Sequence, residues 1–190
     1  MKDEELLVKA VVRNKTDAIR QLYEHHSPSL LSLCLRYCGN TEDAEDVLHD
    51  GFIKIIRNIH TFRPREKGSF KAWMKRIMVN TSLNYLRDRS KENRFLDIEP
   101  LAERIPAEET EDSEQAINPN MFSQEIVMKM ICELPAGYRA VFNMYVFEDF
   151  THKEIAEALQ CSENTSKSQL FKARAMLRKK LENQMIKQTT

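Results

Sequence analysis

The stretch THKEIAEALQCSENTSKSQLFKARAMLRKK, residues 151–180, contains the strongest local folding signals in the chain. Thr151 and Glu154 have the spacing of a capping box, in which the threonine hydroxyl accepts from a free amide and the glutamate bonds back to the cap residue. Ser162 stands where it can cap a second helix, after the turn formed by Gln160, Cys161 and Ser162 itself. Two short helices joined by about three residues, the second one basic, are typical of a helix-turn-helix.

The second of these helices has one apolar side. At 3.6 residues per turn, a narrow stripe is expected to face the core: Leu170, Ala173, Leu177 and Leu181. The other sides hold the candidate DNA contacts: Lys167, Ser168, Gln169, Phe171 and Lys172. Lysines suit phosphates and guanine edges, and Gln169 can pair with adenine. Phe171 lies off the apolar stripe, so it either contacts thymine methyls and sugars or packs on a neighbouring helix.

The rest of the chain also favours helices, because only 4 of its 190 residues are glycine and 6 are proline. We predict helices near residues 4–13, 16–38, 41–58, 69–90, 122–133, 136–147, 152–159 and 163–182. Gly39 is a helix stop signal, and Thr41 and Ser69 can cap the helices that follow. The segment HTFRPREKG, residues 60–68, is expected to be a loop because Pro64 and Gly68 interrupt the periodicity.

Apolar periodicity disappears between about residues 91 and 120, a segment that contains Pro100, Pro106 and Pro119 together with seven acids at 99–114. This composition is too charged to collapse by itself and indicates a flexible acidic linker. We therefore predict an all-α protein with two small helical domains. The predicted boundaries are 1–92 for the first domain, 93–120 for the linker, 121–184 for the second domain and 185–190 for a tail.

The formal net charge of zero conceals a strong segregation of charge along the chain. Residues 63–94 carry 10 basic and 3 acidic side chains, and residues 163–190 carry 7 basic and 2 acidic ones. Residues 97–125, between these blocks, carry 1 basic and 9 acidic side chains. Two basic blocks around an acidic connector indicate two separate contacts with an anionic partner, although solvated helix faces would give a similar pattern.

Several function classes are disfavoured by the sequence. No apolar run approaches the roughly 20 residues that a membrane span needs, and the acidic start MKDEELLVKA is unlike a signal peptide. Four cysteines without a disulfide-rich composition suggest a reducing compartment, so we expect a cytoplasmic protein. Neither a nucleophile–base pair nor a phosphate loop stands out, and we expect neither enzymatic activity nor a cofactor.

The ordered motifs resemble bacterial sigma factors over about residues 5–182. The succession from AIRQLYEHH to NIHTFR, followed by GSFKAWMKRIMVNTSLNYLRDR, resembles sigma region 2. The segment from ELPAGYRAVFNMYVFEDF to MLRKKL resembles sigma region 4. No region 3 domain fits between them, which is typical of the extracytoplasmic-function class of alternative sigma factors. The resemblance implies that the chain binds core RNA polymerase, recognises the −35 and −10 promoter elements and promotes strand opening.

The resemblance also implies roles for matching positions. The segment DAEDVLHDGF, residues 43–52, matches a helix that docks on core polymerase, with candidate contacts Asp46, Asp50 and Lys54. The candidate −10 residues are Phe62, Arg63, Trp73, Arg76, Asn80 and Arg87. Among these, the loop residues match the loop that captures a flipped base, Asn80 lies near that pocket, and Arg76 and Arg87 would hold phosphates. On residue type alone, Trp73 either stacks on an unpaired base or belongs to the core.

In region 4, the resemblance implies that the face Lys167–Lys172 enters the −35 major groove. The turn and recognition helix depart from the common family form Glu-Gly-Thr-Val-Lys-Ser-Arg, because residues 163–169 read ENTSKSQ. The final arginine is missing, so we expect a −35 preference that differs from the common one. Gln160 replaces a frequent turn glycine, which implies either a strained residue or a right-handed turn.

The amino-acid sequence also allows two other functions. A dimeric helix-turn-helix regulator would bind palindromic DNA without polymerase. A metalloenzyme in a helical bundle would need a metal site, but Glu45 and His49 have the wrong spacing for a carboxylate-bridged di-iron motif. Cys34 and Cys38 are also further apart than the cysteine pairs common in structural zinc sites. Promoter DNA, core polymerase and an anti-sigma protein are therefore the expected partners, with no membrane insertion.

Overall fold

The computed structural model describes residues 2–13, 15–63, 68–93 and 123–189. Within those ranges the regular structure is helical: α1 Lys2–Val12, α2 Thr16–Cys38, α3 Thr41–Asn58, a 3-10 turn Ile59–Thr61, α4 Ser69–Asn93, α5 Gln124–Cys132, α6 Ala136–Val146, α7 His152–Leu159 and α8 Glu163–Thr189. The prediction of an all-α fold is therefore confirmed. The predicted acidic linker lies outside the described residues, apart from Asn93.

The chain divides into two compact units, Met1–Asp88 and Arg89–Thr190, here called the N-terminal unit and the C-terminal unit. The domain boundaries predicted from the sequence remain a prediction, since contacts alone do not define a linker. Helix α8 continues to Thr189, past its predicted end at residue 182. In the described part of the chain, every helix is too short or too polar to cross a membrane.

The hairpin of α2 and α3 is set by local signals. Gly39 adopts the left-handed conformation, with φ 86°, and its N–H donates to the carbonyl of Leu35 at 2.9 Å. Asn40 caps α3, because its side-chain oxygen accepts from the backbone N–H of Asp43 at 2.9 Å. The prediction that Thr41 is the cap was one residue late: the extended backbone at Asn40 brings the amide side chain to the free N–H groups, and Thr41 is already helical.

The core of the N-terminal unit lies between α2, α3 and α4. Its largest fully buried side chains are Leu22, Leu33, Tyr37, Ile55, Phe70, Met74, Met78 and Val79. Gly51 on α3 lies directly against Met78 on α4, and a Cβ at Gly51 would overlap the Met78 sulphur and terminal methyl. The absence of a side chain at Gly51 therefore lets these two helices approach closely. Cys34 belongs to the same core, and its burial raises the pKa of the thiol to about 12.

The C-terminal unit packs α5, α6 and α7 around the first half of α8. Its buried apolar side chains include Ile131, Leu134, Val141, Met144, Ile155, Leu170 and Ala173. Buried Arg139 donates to the carbonyls of Cys132 and Leu134 at 2.5 and 3.2 Å, which fixes the turn between α5 and α6. Further along α8, Lys180 pairs with Glu133 at 2.5 Å. The hydrogen bond from Lys180 lowers the pKa of that carboxyl group.

Candidate nucleic-acid and partner interfaces

The 3-10 turn Ile59–Thr61 leads into a loop whose two candidate residues lie in different environments. Phe62 is only 9% exposed, and its ring centroid lies 5.0 Å from that of Phe70 and 5.5 Å from that of Trp73. Arg63 is exposed, and its guanidinium donates to the carbonyls of His60 and Phe62 at 2.9 and 3.1 Å. Phe62 therefore anchors the loop to α4, whereas Arg63 presents a positioned cation to solvent.

The other −10 candidates lie along one face of α4. At 100° per residue, Trp73, Arg76, Asn80 and Arg87 fall within a 60° sector of the helix, which is a geometric consequence of their spacing. Arg76, Asn80 and Arg87 are exposed, and Arg87 donates to the side chain of Asn84 at 2.7 Å. Trp73 is half-buried and stacks on Phe70, with centroids 5.8 Å apart and planes 15° from parallel. Trp73 thus packs against Phe70 in the core and leaves part of its ring accessible to solvent.

The candidate polymerase contacts lie on α3. Asp46 and Asp50 are one helical turn apart and both are exposed, so the helix presents two acids on one face. Lys54, one turn further, is half-buried, and its ammonium group donates to the hydroxyl of Thr81 on α4 at 3.3 Å. Lys54 therefore joins two helices of the N-terminal unit as well as marking the end of the acidic face.

Helices α7 and α8 form the predicted helix-turn-helix. Both hydrogen bonds of the capping box at Thr151 and Glu154 are present. Ser162 accepts from the N–H of Thr165 at 3.0 Å, as expected for the cap of α8. Gln160 adopts the left-handed conformation, with φ 55° and ψ 44°, so the turn retains the geometry that glycine would favour and places a strained residue there.

A polar contact that the sequence did not predict joins the two helices. His152 Nδ1 lies 2.9 Å from the hydroxyl of Ser166, which is fully buried. The imidazole also stacks on Tyr145, with ring centroids 4.7 Å apart. Burial, together with the positive charge of Lys167, lowers the pKa of His152. The neutral imidazole therefore belongs to the packing that orients α8.

The predicted −35 face of α8 is only partly exposed. Phe171 is 56% exposed and Lys167 is also exposed, while Ser168 and Lys172 are half-buried. The ammonium group of Lys172 lies 6.0 Å from the ring centroid of Tyr138 on α6, a residue that the sequence did not single out. Of the two alternatives for Phe171, this exposure favours a ring that is open to solvent over one that packs on a neighbouring helix.

Gln169 corrects the sequence-based assignment. Gln169 is 6% exposed. Its carboxamide lies beside Gly137 of α6, because a Cβ added to Gly137 would be 3.7 Å from the carboxamide oxygen of Gln169. The amide therefore packs against the start of α6 rather than facing solvent. In this conformation the Gln169 side chain cannot contact a DNA base. The helical wheel placed it away from the apolar stripe, but α6 covers this side of α8.

The residues considered for a metal site do not assemble. Glu45 and His49 are both exposed on α3, and Cys34 and Cys38 are buried. Among the described residues, no group of three or more His, Cys, Asp and Glu side chains has an arrangement that could hold a metal ion. The raised pKa of Cys34 also disfavours the thiolate that a metal would need.

Comparison with known protein families assigns both units. The family model for Sigma-70 region 2 matches residues 22–92, and the model for Sigma-70 region 4 matches residues 124–177. The first match contains the aromatic residues, the exposed face of α4 and the acidic face of α3. The second match contains the helix-turn-helix and its basic face.

Curated relatives extend this similarity over nearly the whole chain. The ECF RNA polymerase sigma-E factor of Haemophilus influenzae is 28% identical, with 94% of this chain and 95% of the relative covered. The ECF RNA polymerase sigma factor SigW of Bacillus subtilis is 26% identical, with 92% and 94% covered. In fold, the chain is similar to the sigma factor RpoE of Bartonella quintana, solved in complex with the anti-sigma factor NepR. That match has a TM-score of 0.52 and 20% identity, covering 86% of this chain and 96% of the other.

Proposed function

The chain belongs to the extracytoplasmic-function class of sigma factors, the alternative sigma factors for transcription initiation, and we propose that its two units read two separate promoter elements on core RNA polymerase. The observation that carries this proposal is the distribution of the two family matches. The first lies in the N-terminal unit apart from its last four residues, and the second lies wholly in the C-terminal unit. Each unit also exposes its own set of basic and aromatic side chains. The protein acts by binding, and no chemical step is assigned to its own residues.

The C-terminal unit is proposed to read duplex DNA at the −35 element. Lys167 and Lys172 supply positive charge for phosphates or guanine edges, and Ser168 is small enough to permit close approach of the helix. Exposed Phe171 offers an apolar surface to a thymine methyl group or a sugar. Gln169 is left out of this contact surface because it is buried, and it is proposed instead to support the packing of α8 against α6.

The N-terminal unit is proposed to hold one strand of the −10 element after it opens. Asn80 provides both a donor and an acceptor for a base edge, and Arg63, Arg76 and Arg87 provide charge for the phosphates. Moving a base out of the stack costs on the order of a few kcal/mol, which contacts with the extruded base and neighbouring phosphates must offset. Phe62 supports this site through the aromatic packing that fixes the loop, and Trp73 supplies a partly open stacking surface.

Core polymerase is proposed to bind the acidic face of α3 at Asp46 and Asp50, with Lys54 at its end. The formal charge of the whole chain is zero, so the free protein has little general attraction for DNA. Polymerase would then set the distance between the two DNA-reading units. We place this activity in the cytoplasm, where polymerase and chromosomal DNA meet, and propose an anti-sigma protein as a regulatory partner.

The decisive experiment is reconstitution of the chain with bacterial core polymerase, followed by mapping of transcript starts on genomic DNA. We expect a 1:1 complex that initiates at a discrete set of promoters with shared −35 and −10 elements. Promoter-specific initiation by the isolated chain, or a stable dimer that binds palindromic DNA and ignores polymerase, would contradict the proposal. The regulator alternative is not favoured, because both units match sigma regions.

Two variants separate the two readers. Asn80→Ala should reduce permanganate reactivity of the −10 region by about tenfold, because one base contact is worth roughly 1–3 kcal/mol, and should leave duplex binding unchanged. Phe171→Ala should instead weaken duplex binding. Lys71→Ala is the matched control for α4, since Lys71 is exposed on the side of the helix opposite Asn80. An Asn80 variant with normal strand opening would remove Asn80 from the −10 site.

A further inference from the structure

A pocket of about 420 Å³ opens between α1 and the 3-10 turn of the N-terminal unit. Its apolar walls are Val8 and Val12 on α1, Ile59 in the turn and Phe62 in the following loop. Val12 is 50% exposed, whereas Ile59 and Phe62 are 2% and 9% exposed. The volume falls in the range of small-molecule sites, about 300–1,000 Å³, which are lined mainly by apolar side chains with a few polar groups.

Basic side chains surround this apolar space. Lys9 on α1, Arg13 directly after it, and His60 and Arg63 on the other side complete the lining, and all four are exposed. Among the described residues that line the pocket, none is acidic. The Arg63 guanidinium donates through Nη1 to the carbonyls of His60 and Phe62 at 2.9 and 3.1 Å, so its other nitrogens keep N–H groups for an anion.

A single-chain amphiphile with an anionic headgroup, such as a medium-chain fatty acid, matches both features of the pocket. Its hydrocarbon chain would cover the exposed wall at Val12, and burial of apolar surface favours binding. Its carboxylate would stay beside the basic side chains, where an arginine can donate two parallel N–H bonds. An uncharged hydrocarbon would leave the cations unused, an inorganic anion would leave the apolar walls uncovered, and a cationic amphiphile would be repelled.

Two lining residues connect the pocket to the candidate −10 site. Phe62 is packed against Phe70 and Trp73, with ring centroids 5.0 and 5.5 Å away, and Arg63 is one of the cations proposed to hold a phosphate. A ligand beside Phe62 would favour this packed conformation of the loop, because a ligand shifts an equilibrium toward the state that it binds better. Its carboxylate would also occupy the free N–H groups of Arg63.

We infer that the pocket between α1 and the 3-10 turn is an effector site for a fatty-acid-like carboxylate, and that the bound ligand inhibits strand capture at the −10 element. The regulatory part of this inference rests on the proposed function, whereas binding of the ligand does not. The site lies partly outside the family match, because the region 2 match begins at residue 22 and α1 lies before it.

Binding is tested on the full chain with decanoate, below the concentration at which it forms micelles. Fluorescence of the single tryptophan, Trp73, is a direct readout because its ring contacts Phe62. Decanoate should change this signal saturably, with one site per chain by calorimetry. Decyltrimethylammonium, which has the same chain length and the opposite charge, should not compete for the site.

Two substitutions of exposed apolar residues on α1 locate the site. Val12→Glu should weaken decanoate binding by about tenfold or more, because a carboxylate in the apolar wall repels the headgroup and has to be desolvated. Leu6→Glu is the matched control at a residue that is 64% exposed and does not line the pocket. It should change the affinity by less than about twofold, as is usual for a surface substitution. Circular dichroism checks that both variants remain helical.

Inhibition is tested on the reconstituted holoenzyme. At a decanoate concentration of about ten times its Kd, permanganate reactivity of the −10 region should fall by about tenfold, as expected when binding and strand capture exclude each other. The Val12→Glu holoenzyme should open the same promoters without decanoate and should lose sensitivity to it. This variant also separates an effect on the sigma factor from any effect of decanoate on core polymerase.

The outcomes are distinguishable. Equal decanoate binding by Val12→Glu and Leu6→Glu, or equal binding of the cationic amphiphile, overturns the effector site. Binding to vesicles of phosphatidylglycerol without binding of decanoate also overturns it, because it would make this surface a membrane contact. Saturable binding with unchanged strand opening overturns the regulatory part. A chain that binds decanoate but neither assembles with core polymerase nor initiates transcription overturns the proposed function and leaves the ligand site intact.

Discussion

Single residues show how an unusual backbone geometry can be accepted at a turn. Gln160 stands between α7 and α8 in the left-handed conformation, which costs residues with a Cβ about 1–2 kcal/mol. Its backbone position is determined by the short connection, and the N–H of the next residue, Cys161, donates to the carbonyl of Ala156 at 3.0 Å. The helix-turn-helix therefore forms although the residue at the turn is not the favoured one.

Gln160→Gly should stabilise the C-terminal unit by about 1 kcal/mol, because glycine adopts this conformation without steric cost. The measurement is the free energy of opening of α7 and α8 amides by native-state hydrogen exchange. Glu157→Gly, at an exposed position inside α7, is the control and should lower the same free energy by about 1 kcal/mol. A Gln160→Gly variant that is destabilised would show that the glutamine side chain makes a compensating contact.

At the scale of elements, close packing of α3 against α4 depends on a missing side chain. Gly51 faces Met78, which is fully buried, so the methionine has little room to move aside. Gly51→Ala should lower the free energy of unfolding by about 1–3 kcal/mol, the usual range for overpacking a core. Urea unfolding followed by fluorescence of the single tryptophan, Trp73, measures this in the N-terminal unit.

A double-mutant cycle tests the cause of this destabilisation. In the background of Met78→Ala, which removes the overlapping atoms, Gly51→Ala should cost less than it does in the unmodified protein. Equal costs in both backgrounds would show that the helix backbone, rather than the methionine, resists the added methyl group.

The contact between α7 and α8 is expected to depend on pH through His152. Its pKa is lowered in the folded chain, with burial as the main cause. The unfolded chain therefore binds more protons as the pH falls below the ordinary value of 6.5, and the free energy of unfolding should fall with it. Above that value both states are neutral at this residue, and its contribution should no longer change with pH.

An NMR titration of the His152 ring, with the amides of α7 and α8 followed in parallel, checks this directly. We expect a midpoint below 6.5 and a parallel loss of protection in both helices. His152→Asn, which keeps a polar side chain near Ser166, should remove the pH dependence of the amides. A midpoint at or above 6.5 would mean that the charged imidazole is accommodated in the folded unit.

For the whole molecule, charge is separated into surfaces with different expected partners. The sequence as a whole is neutral, yet α3 exposes the acids Asp46 and Asp50 while α4 and α8 expose basic side chains. A single protein can then bind a protein partner through an acidic face and DNA through basic faces without strong non-specific binding. This arrangement matches the proposed dependence of promoter recognition on polymerase.

Charge reversal should separate the partner surface from the DNA surfaces. The double variant Asp46→Lys and Asp50→Lys should weaken binding to core polymerase by about tenfold or more, because it opposes the charge of a complementary surface. Glu45→Lys, exposed on the same helix but on a different side, should have a much smaller effect. Binding is measured by titration of labelled sigma factor with core polymerase, and circular dichroism checks that the helices persist.

The sequence by itself determined the helices, the all-α class and the family. Signals such as Gly39 and the capping box at Thr151 act within a few residues, so their effects can be read from the local sequence. The ordered motifs were specific enough to predict both sigma regions, and the family matches confirmed them. The cap of α3 was placed one residue late because Asn40 and Thr41 are both good cap residues, and only the backbone angles distinguish them.

Only the tertiary structure decided which faces of these helices are covered. The helical wheel left Gln169 open to DNA, but α6 packs over it, and Phe62 proved to be mainly an anchor against α4. A pocket lined by Val12 of α1 and Ile59 of the 3-10 turn likewise combines segments about 50 residues apart in the sequence. Periodicity reports the orientation of side chains around one helix, whereas burial depends on distant segments that come together only when the chain folds.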